Sequence, residues 1–436
     1  MKKAVKKVDV IGVGIGRHTL TSEAREAISR ADVLIGAAKV VEAYKEKRTI
    51  PLYLPKDVAA CIENEDWDGD GEGVGVGDGV GNGVGVGDGV GVGNGDGVGA
   101  AFAVLVSGDV GFYSAAAGLC EALPACELRF IPGISTVNAF FAKLRMPWQD
   151  AAFVSAHGRD ANVVDAVRRN RLTFCLAGNN VNEIGVALCK AGFGDIKAHI
   201  GEDLGTERER VFETSAQGLS DGGFSSLTAL LLVNEASDDR TPCGLPDGAF
   251  ARHEGLPMTK SETRAVAMSK LGLRPNSVCW DIGAGTGSVA VEMALSAYRG
   301  HVFAVERRAD ATPFIEQNCA AFHVGNVTVV CGEAPAALEP LPAPNAVFIG
   351  GSGGELGEII ASGLRKNPEA RIVVSAVTIE TVPAAMSAFG AAGLEPQIIQ
   401  INVARGKRAG KLHLMEAQNP VAILSAGGRS AAGGGP

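Results

Sequence analysis

A glycine-rich turn in the second half of the chain has the residues and spacing of a nucleotide-binding loop. Asp281 precedes Gly283, Gly285, Thr286 and Gly287, and the turn follows an apolar strand and opens a helical stretch. Glycines at such a turn let the backbone bend tightly and approach a ligand at a helix N-terminus. Because the last two glycines are only one residue apart, the pattern favours S-adenosylmethionine (SAM) over a dinucleotide.

Acidic and small residues follow the next strands at the intervals that a SAM site needs. Glu306 ends the next strand, where a carboxylate can bond to ribose hydroxyls. Glu333 and Ala334 follow the third strand, where an adenine would lie, and Asp281 could hold an ammonium group. Each feature alone is compatible with a plain turn or a solvated strand end, and NAD is the competing ligand. The coincidence of all three favours SAM.

A second glycine loop, Phe348-Ile-Gly-Gly-Ser-Gly-Gly354, follows the fourth strand of this half. Ligands of open parallel sheets bind beyond the carboxyl ends of the strands, so Gly351 and Ser352 are candidate substrate contacts. SAM enzymes acting on nucleobase amines usually have Asn/Asp-Pro-Pro-aromatic here, and its absence argues against that class. A basic run that includes Arg405 and Lys407 could pair with substrate carboxylates or form a solvated loop.

The first half of the chain carries glycine-rich motifs of a different kind. Gly12 and Gly14 could belong to another nucleotide loop, but no acidic residue closes the strand that follows. Three further motifs are Leu105–Tyr113, with Gly108, Asp109 and Phe112; Ile131–Thr136, with Ser135 and Thr136; and Ser155–Arg159, with His157. Asp109 fits a turn as well as a ligand role, and His157 fits the core as well as a cleft.

From about Glu254 to Leu424 the chain resembles the decarboxylating precorrin methyltransferases of cobalamin biosynthesis. The resemblance is carried by Pro257–Arg264, Asp281–Ser288, Gly332–Pro335, Phe348–Gly354 and Asn419-Pro420. It implies that Thr259, the first glycine loop, Glu306, Glu333 and Ala334 contact SAM. Asn345 departs from the family, which usually has Asp at that position.

From Val8 to about Glu235 the chain is similar to the tetrapyrrole (corrin/porphyrin) methylases, in particular those acting on ring carbon 5. The motifs of the first half carry this resemblance, together with residues 201–213. It implies that SAM binds in a cleft between two lobes and contacts Gly108, Asp109, Phe112, Ser135 and Thr136. The family usually has proline where Ile15 or Val110 stands.

Together the two resemblances imply a bifunctional enzyme with two SAM sites and no metal. The implied reaction methylates meso carbons 5 and 15 of a precorrin macrocycle and removes carbon dioxide from the acetate on ring carbon 12. No catalytic acid, base or nucleophile is identified. Two alternatives stay open: a SAM methyltransferase acting on protein or RNA, which would need a peptide groove or a basic face, and a SAM-binding regulator without turnover.

Short apolar strands alternate with helical stretches, which predicts an α/β fold with largely parallel sheets. We expect a two-lobed tetrapyrrole-methylase domain at residues 1–237, a linker at 238–255, a Rossmann-like SAM-methyltransferase domain at 256–424 and a disordered tail at 425–436. The predicted strands are Val8–Val13, Val33–Ile35, Ala103–Ser107, Arg129–Ile131, Ser277–Ile282, His301–Val305, Val327–Val330, Ala346–Ile349 and Arg371–Ser375, with helices at Ser22–Arg30, Thr286–Ala297 and Pro313–Phe322.

A low-complexity insert occupies residues 68–99, where every odd-numbered position from Gly69 to Gly99 is glycine. A half-glycine segment loses much entropy on ordering and has little to bury, so we predict a disordered loop. Its aspartates leave a calcium-binding repeat as the alternative, although the spacing of known calcium repeats is absent.

Bulk composition restricts the partners. The formal net charge of −9 disfavours wholesale binding to nucleic acid, and the nine cysteines are scattered singly without zinc-site spacing. No secretory signal is recognisable, and no apolar stretch approaches the ~20 residues that a membrane span needs. These properties favour a cytoplasmic protein. The resemblances imply that it acts on a small tetrapyrrole, and we expect a homo-oligomer.

Overall fold

The computed structural model describes residues 6–64, 100–156, 161–240, 243–253 and 255–428. The chain forms two compact units, Met1–Gln149 with Gly201–Val211 and Asp150–Ile200 with Phe212–Pro436. The predicted insert at 68–99 and His157 lie outside the described residues. The boundary between the units falls inside the predicted first domain, and the predicted division at residues 238–255 stays a prediction.

The described part of the chain contains 19 strands. They are β1 (Lys7–Gly12), β2 (Val33–Gly36), β3 (Arg48–Ile50), β4 (Phe102–Val106), β5 (Glu127–Ile131), β6 (Ala151–Ser155), β7 (Leu172–Leu176), β8 (Lys197–Glu202), β9 (Arg210–Ser215), β10 (Thr228–Val233), β11 (Val278–Ile282), β12 (His301–Glu306), β13 (Val327–Cys331), β14 (Ala346–Ile349), β15 (Arg371–Ala376), β16 (Gln397–Ile401), β17 (Ala404–Ala409), β18 (Leu412–Ala417) and β19 (Val421–Gly427).

The same ranges contain 13 α-helices. They are α1 (Ser22–Arg30), α2 (Ala38–Val41), α3 (Pro55–Asn64), α4 (Ala116–Ala122), α5 (Thr136–Leu144), α6 (Val163–Arg169), α7 (Val181–Lys190), α8 (Ala216–Asp221), α9 (Ser261–Leu271), α10 (Ser288–Ser296), α11 (Thr312–Ala321), α12 (Leu356–Lys366) and α13 (Thr381–Ala391). No helix in these ranges has the length and apolarity that crossing a bilayer requires.

The first unit contains a five-stranded sheet in the order β3-β2-β4-β1-β5, and its pairs are parallel. Its inner strands are apolar runs buried on both faces, as parallel strands covered by helices must be. Two helices begin at hydroxyl caps: Thr21 accepts the Ala24 N–H ahead of α1, and Ser135 accepts the Asn138 N–H ahead of α5.

A second five-stranded sheet follows in the order β6-β7-β10-β8-β9. It is mixed, because β6 and β7 are parallel while β10 runs antiparallel to β7. Its apolar core lies against α6, α7 and α8 and includes Phe193, Leu219 and Leu230.

The third sheet has seven strands in the order β13-β12-β11-β14-β15-β19-β16. The first five are parallel, and β19 runs antiparallel to both of its neighbours. Apolar clusters cover both faces, with Met293 and Phe348 in one and Trp280 and Phe389 in the other. The predicted α/β fold is thus confirmed, and each predicted strand and helix overlaps an observed one.

One boundary predicted from composition is wrong. The predicted tail begins at Ser425, yet Ser425–Gly427 complete β19 and pair with β15, because small residues can still form the backbone hydrogen bonds of a strand. The predicted linker is also partly ordered. Gly244 and Leu245 donate their N–H groups to Glu292, and Phe250 is buried in the core of the C-terminal domain.

Candidate cofactor sites

The first glycine loop lies where the strand order of the third sheet reverses. β11 pairs in parallel with β12 on one side and β14 on the other, and such a reversal opens a crevice at the carboxyl ends of the strands. Gly283, Gly285 and Gly287 have φ angles of 72°, 55° and 75°, a region that favours glycine. A Cβ atom on Gly287 would lie 2.7 Å from Cγ2 of Ile315, so packing against α11 also requires glycine.

A cavity of about 270 Å³ occupies this crevice. Its lining includes seven predicted site residues: Gly283, Gly285, Glu306, Glu333, Ala334, Gly351 and Ser352. Asp281, Thr286, Gly287 and Thr259 do not line it. The wall at Gly351 is open, because a Cβ atom there would meet nothing within 4 Å.

Glu306 is the last residue of β12 and is part of the cavity lining. Oε2 accepts the N–H of Gly285 at 2.8 Å, and Oε1 accepts the N–H of Arg308 at 2.9 Å. Each carboxylate oxygen has a further lone pair, so bonds to ribose hydroxyls remain feasible. Glu306 therefore also fixes the glycine loop, a role that sequence analysis did not foresee.

Asp281 is 1% exposed, and neither carboxylate oxygen has a hydrogen-bond partner. Burial raises the pKa of Asp281 to about 7. The backbone N–H of Ala290, which is too poorly placed to form a hydrogen bond, partly offsets this rise, and the Glu306 carboxylate adds to it. The hydroxyl of Thr286 is likewise buried without a partner. Unpaired buried polar groups are costly, so a carboxylate in this position beside a cofactor loop fits the cationic end of SAM. Its contact with an ammonium group stays a prediction.

Sequence analysis missed the buried arginine that holds one wall of the cavity. Arg264 is fully buried and pairs with Glu292, Nε to Oε1 at 2.6 Å. It also donates to the carbonyls of Thr259, at 2.5 Å, and Leu245. Arg264 thus fixes the carbonyl of Thr259. Pro257, two residues earlier in the chain, lines the cavity. An arginine is usually exposed, so its residue type gives no sequence signal of such burial.

Two further arginines line the cavity. Arg307 lies 3.5 Å from Glu333 as an exposed ion pair, and Arg308 pairs with Asp310 at 2.7 Å. Their position directly after Glu306 on a strand end could have been predicted from the sequence. The cavity lining therefore combines the carboxylate residues Glu306 and Glu333 with these two arginines.

The two predicted basic substrate contacts are engaged elsewhere. Arg405 pairs with Glu262 at 2.6 Å and Asp247 at 3.0 Å, and Lys407 pairs with Glu416 at 2.9 Å. Neither residue lines the cavity. A role in binding substrate carboxylates stays a prediction, and it would require these ion pairs to be exchanged.

In the first unit, glycines from three neighbouring strand ends pack against one another. Gly14 and Gly108, with φ angles of 70° and 72°, exchange two backbone hydrogen bonds of 3.0 and 2.9 Å. A Cβ atom on Gly12 would lie 2.7 Å from the nitrogen of Gly133 and 2.8 Å from the carbonyl oxygen of Gly108. The loops after β1, β4 and β5 therefore need glycine in order to meet.

Asp109 and Ser135 also secure this junction. Asp109 accepts the N–H of Gly111 at 2.8 Å and that of Gly133 at 3.2 Å. Ser135 caps α5 and donates to Oδ1 of Asn138 at 2.6 Å, and Thr136 is the first residue of that helix. Phe112 meets Tyr113 edge to face, with ring centroids 4.9 Å apart. The predicted residues are thus close together, and their contact with SAM stays a prediction.

A wider cavity of about 700 Å³ lies beside this junction. Gly133 joins it to the glycine cluster, and His18, Asn138, Lys143 and Glu209 supply polar groups. Lys143 and Glu209 form an ion pair at 2.5 Å. A carboxylate of a ligand could replace Glu209 as the partner of Lys143.

Comparison with known proteins identifies the family to which each half of the chain is similar. A family model for the precorrin methyltransferase domain matches residues 249–427, and one for tetrapyrrole (corrin/porphyrin) methylases matches residues 98–220. A precorrin-6Y C(5,15)-methyltransferase [decarboxylating] from Sinorhizobium sp is 33% identical over 313 residues, covering 69% of this chain and 74% of the relative. The chain belongs to the precorrin methyltransferase family.

Relatives of the second half exist as separate proteins. A probable cobalt-precorrin-6B C(15)-methyltransferase (decarboxylating) from Pyrobaculum calidifontis is 44% identical over 185 residues, 42% of this chain and 95% of the relative. A crystal structure of precorrin-6Y C5,15-methyltransferase from Geobacter metallireducens GS-15 is 41% identical, covers 42% of this chain and 97% of its own, and has a TM-score of 0.41.

Membership of this family confirms the predicted enzyme class. The chain is a SAM-dependent C-methyltransferase of cobalamin biosynthesis, and its substrate is a small tetrapyrrole. The protein, RNA and regulator alternatives are therefore set aside.

Proposed function

We propose that the chain methylates meso carbons 5 and 15 of one precorrin macrocycle and removes carbon dioxide from the acetate on ring carbon 12. The observation that carries this proposal is a cavity lined by Glu306 and Glu333 where the strand order of the third sheet reverses. The same chain contains a region that matches the tetrapyrrole methylases. The name of the Sinorhizobium relative, which aligns with 69% of the chain, supports both methylation positions and the decarboxylation.

In the C-terminal site we assign Glu306 to the ribose, Asp281 to the ammonium group and Glu333 with Ala334 to the adenine end of SAM. SAM supplies an activated methyl group when bound. The open wall at Gly351 and Ser352 leaves the macrocycle room to approach. A meso carbon of a conjugated macrocycle is already nucleophilic, so these residues act by alignment and water exclusion.

We assign a second SAM site to the first unit, at the glycine junction of Gly12, Gly14 and Gly108. Asp109, Phe112, Ser135 and Thr136 lie on the same loops and are proposed to face SAM. The bonds that Asp109 and Ser135 make within the protein favour a positioning role for their side chains. SAM would then be bound chiefly through backbone groups.

The cobalt content of the substrate decides which branch of the pathway the enzyme serves. The names of the relatives include both precorrin and cobalt-precorrin substrates. We further propose a cytoplasmic location, which cell fractionation would test, and a homo-oligomeric state, which gel filtration of the purified protein would test.

The decisive experiment incubates the purified chain with labelled SAM and either metal-free or cobalt-loaded macrocycle. The product should gain two labelled methyl groups and lose one carbon dioxide, with one of the two substrates clearly preferred. Calorimetry with SAM should show two sites per chain. Transfer of a single methyl group without decarboxylation, on either substrate, would contradict the proposal.

A further inference from the structure

The lobe at residues 150–200 contacts the C-terminal domain within one compact unit. Asn162, ahead of α6, donates from Nδ2 to the carbonyl of Tyr298 at 2.9 Å. His323, after α11, bonds through Nδ1 to the carbonyl of Ala191 at 2.7 Å. Both bonds join a side chain to a backbone carbonyl, so they depend on the relative placement of two backbones.

Aromatic contacts strengthen the same surface. The ring of His323 stacks on Phe193, with centroids 4.2 Å apart and planes inclined by 17°. The guanidinium of Arg169 lies 4.6 Å from the centroid of the Tyr298 ring. A cation over an aromatic face and a stacked ring pair are both attractive and geometrically specific.

Two glycines allow the backbones to approach closely. A Cβ atom on Gly325 would lie 2.9 Å from Cγ2 of Val164, and one on Gly192 would lie 3.0 Å from the carbonyl oxygen of Ala320. One glycine is contributed by each side. The surface is therefore closely fitted at both of these points.

The connecting segment is anchored on both sides of residues 241–243. Arg168, paired with Asp165 at 2.9 Å, donates to the carbonyls of Asp238 at 3.0 Å and Arg240 at 3.4 Å. Beyond the connection, the N–H groups of Gly244 and Leu245 are bound by Glu292. Only a short stretch separates two fixed points, which is unsuited to free movement of one part against the other.

We propose that the C-terminal methyltransferase domain has a docking surface for the lobe at residues 150–200 of the same chain. The two should remain bound to each other when the chain is cut at the segment that connects them. The surface comprises Tyr298, His323 and Gly325 on the C-terminal side and Asn162, Val164 and Phe193 on the lobe. It lies at the amino ends of the third-sheet strands, away from the cavity at their carboxyl ends. The inference rests on these contacts alone and not on the proposed function.

The test cleaves the full-length protein at a protease site placed at residues 241–242 and follows the nicked protein by gel filtration over a dilution series. The two fragments should elute together at micromolar concentration. His323→Gly should weaken their association about tenfold, because it removes the stacked ring and one hydrogen bond. His323 has a φ of 55°, so glycine there should leave the folding of the C-terminal fragment intact or improve it.

Gly325→Val provides an independent disruption, since its side chain would overlap Val164; we expect a loss of about tenfold or more. The matched control is Gly357→Val on α12, where a Cβ atom meets nothing within 4 Å, and association should stay unchanged. Elution of the nicked wild type as two separate fragments at all concentrations would overturn the proposal. So would undiminished association of His323→Gly, whose fragments can be verified as folded by thermal melting.

Discussion

The two glycine-rich junctions of this chain look alike in sequence but are built for different physical purposes. In the first unit the glycines meet each other, and the carboxylate of Asp109 is occupied by backbone N–H groups. In the C-terminal domain the glycines surround a cavity, and the carboxylate of Asp281 is buried without a partner. Glycine spacing alone therefore indicates a tight turn, while unpaired polar groups indicate where ligand charge is expected.

The largest expected difference concerns one ion pair in each region, a buried pair in the C-terminal domain and an exposed pair in the first unit. Arg264→Met should destabilise the C-terminal domain by about 3–5 kcal/mol, because it leaves Glu292 charged and buried. Arg129→Met in the first unit should cost no more than about 1 kcal/mol, since the Arg129–Asp9 pair is solvent-exposed. Denaturant unfolding of both variants measures the difference. Equal losses in the free energy of unfolding would show that the buried Arg264–Glu292 pair stabilises the protein no more than the exposed Arg129–Asp9 pair does.

Backbone crowding gives the next largest effect. Gly12→Ala should destabilise the first unit by about 1–3 kcal/mol, because its methyl group meets backbone atoms of Gly108 and Gly133 that cannot move aside. Gly351→Ala should leave stability unchanged, since that position is open, and should instead weaken macrocycle turnover. Thermal melts and product assays separate the two outcomes. A Gly12→Ala protein as stable as wild type would show that the loops of Gly108 and Gly133 can move apart to accommodate a methyl group.

These differences mark the limit of what sequence could predict. The strands that carry Asp281 and Glu306, and the strand that precedes Gly351, were predictable from apolar runs, and parallel order places their carboxyl ends together. The burial of Arg264 could not be predicted, because it depends on the 244–245 segment, which composition assigned to a linker. The antiparallel strand β19 was missed for a related reason: small residues at 425–427 read as a tail, whereas pairing with β15 decides their structure.

Glu306→Ala tests whether the cavity is the donor site of the C-terminal domain. Two ribose bonds to a carboxylate are worth about 1.5–3 kcal/mol each, so SAM affinity should fall at least ~10-fold at this site. The first site should be unaffected, leaving a singly methylated product that retains its acetate carboxyl. Calorimetry and product mass report the two effects.

The Glu306 result has a specific control, because Glu306 also binds the N–H groups of Gly285 and Arg308. Asp109→Ala removes a comparable pair of backbone bonds in the first unit, and it should lower stability there without abolishing SAM binding. A doubly methylated, decarboxylated product from Glu306→Ala at the normal rate would contradict the placement of the donor site.

The last expected difference is a pH dependence confined to the C-terminal site. Burial raises the pKa of Asp281 from 3.8 to about 7, so the folded protein holds this proton more tightly than the unfolded chain does. The contribution to stability is therefore full below about pH 4 and declines as pH rises through 7. Asp281→Asn removes that decline, and its melting temperature relative to wild type should increase between pH 4 and 7 and then level off.

Binding should show the opposite slope. A cationic ammonium group favours the ionised carboxylate, so wild-type SAM affinity at this site should rise up to about pH 7, while Asp281→Asn should be weaker and nearly independent of pH. Among the described residues of the first unit no buried carboxylate lacks a partner, so its site should show no such slope. Calorimetry between pH 5 and pH 8 resolves the two sites. A flat wild-type profile would mean that Asp281 does not sense the ligand's charge, and that the cavity orients SAM through Glu306 and the glycine loop alone.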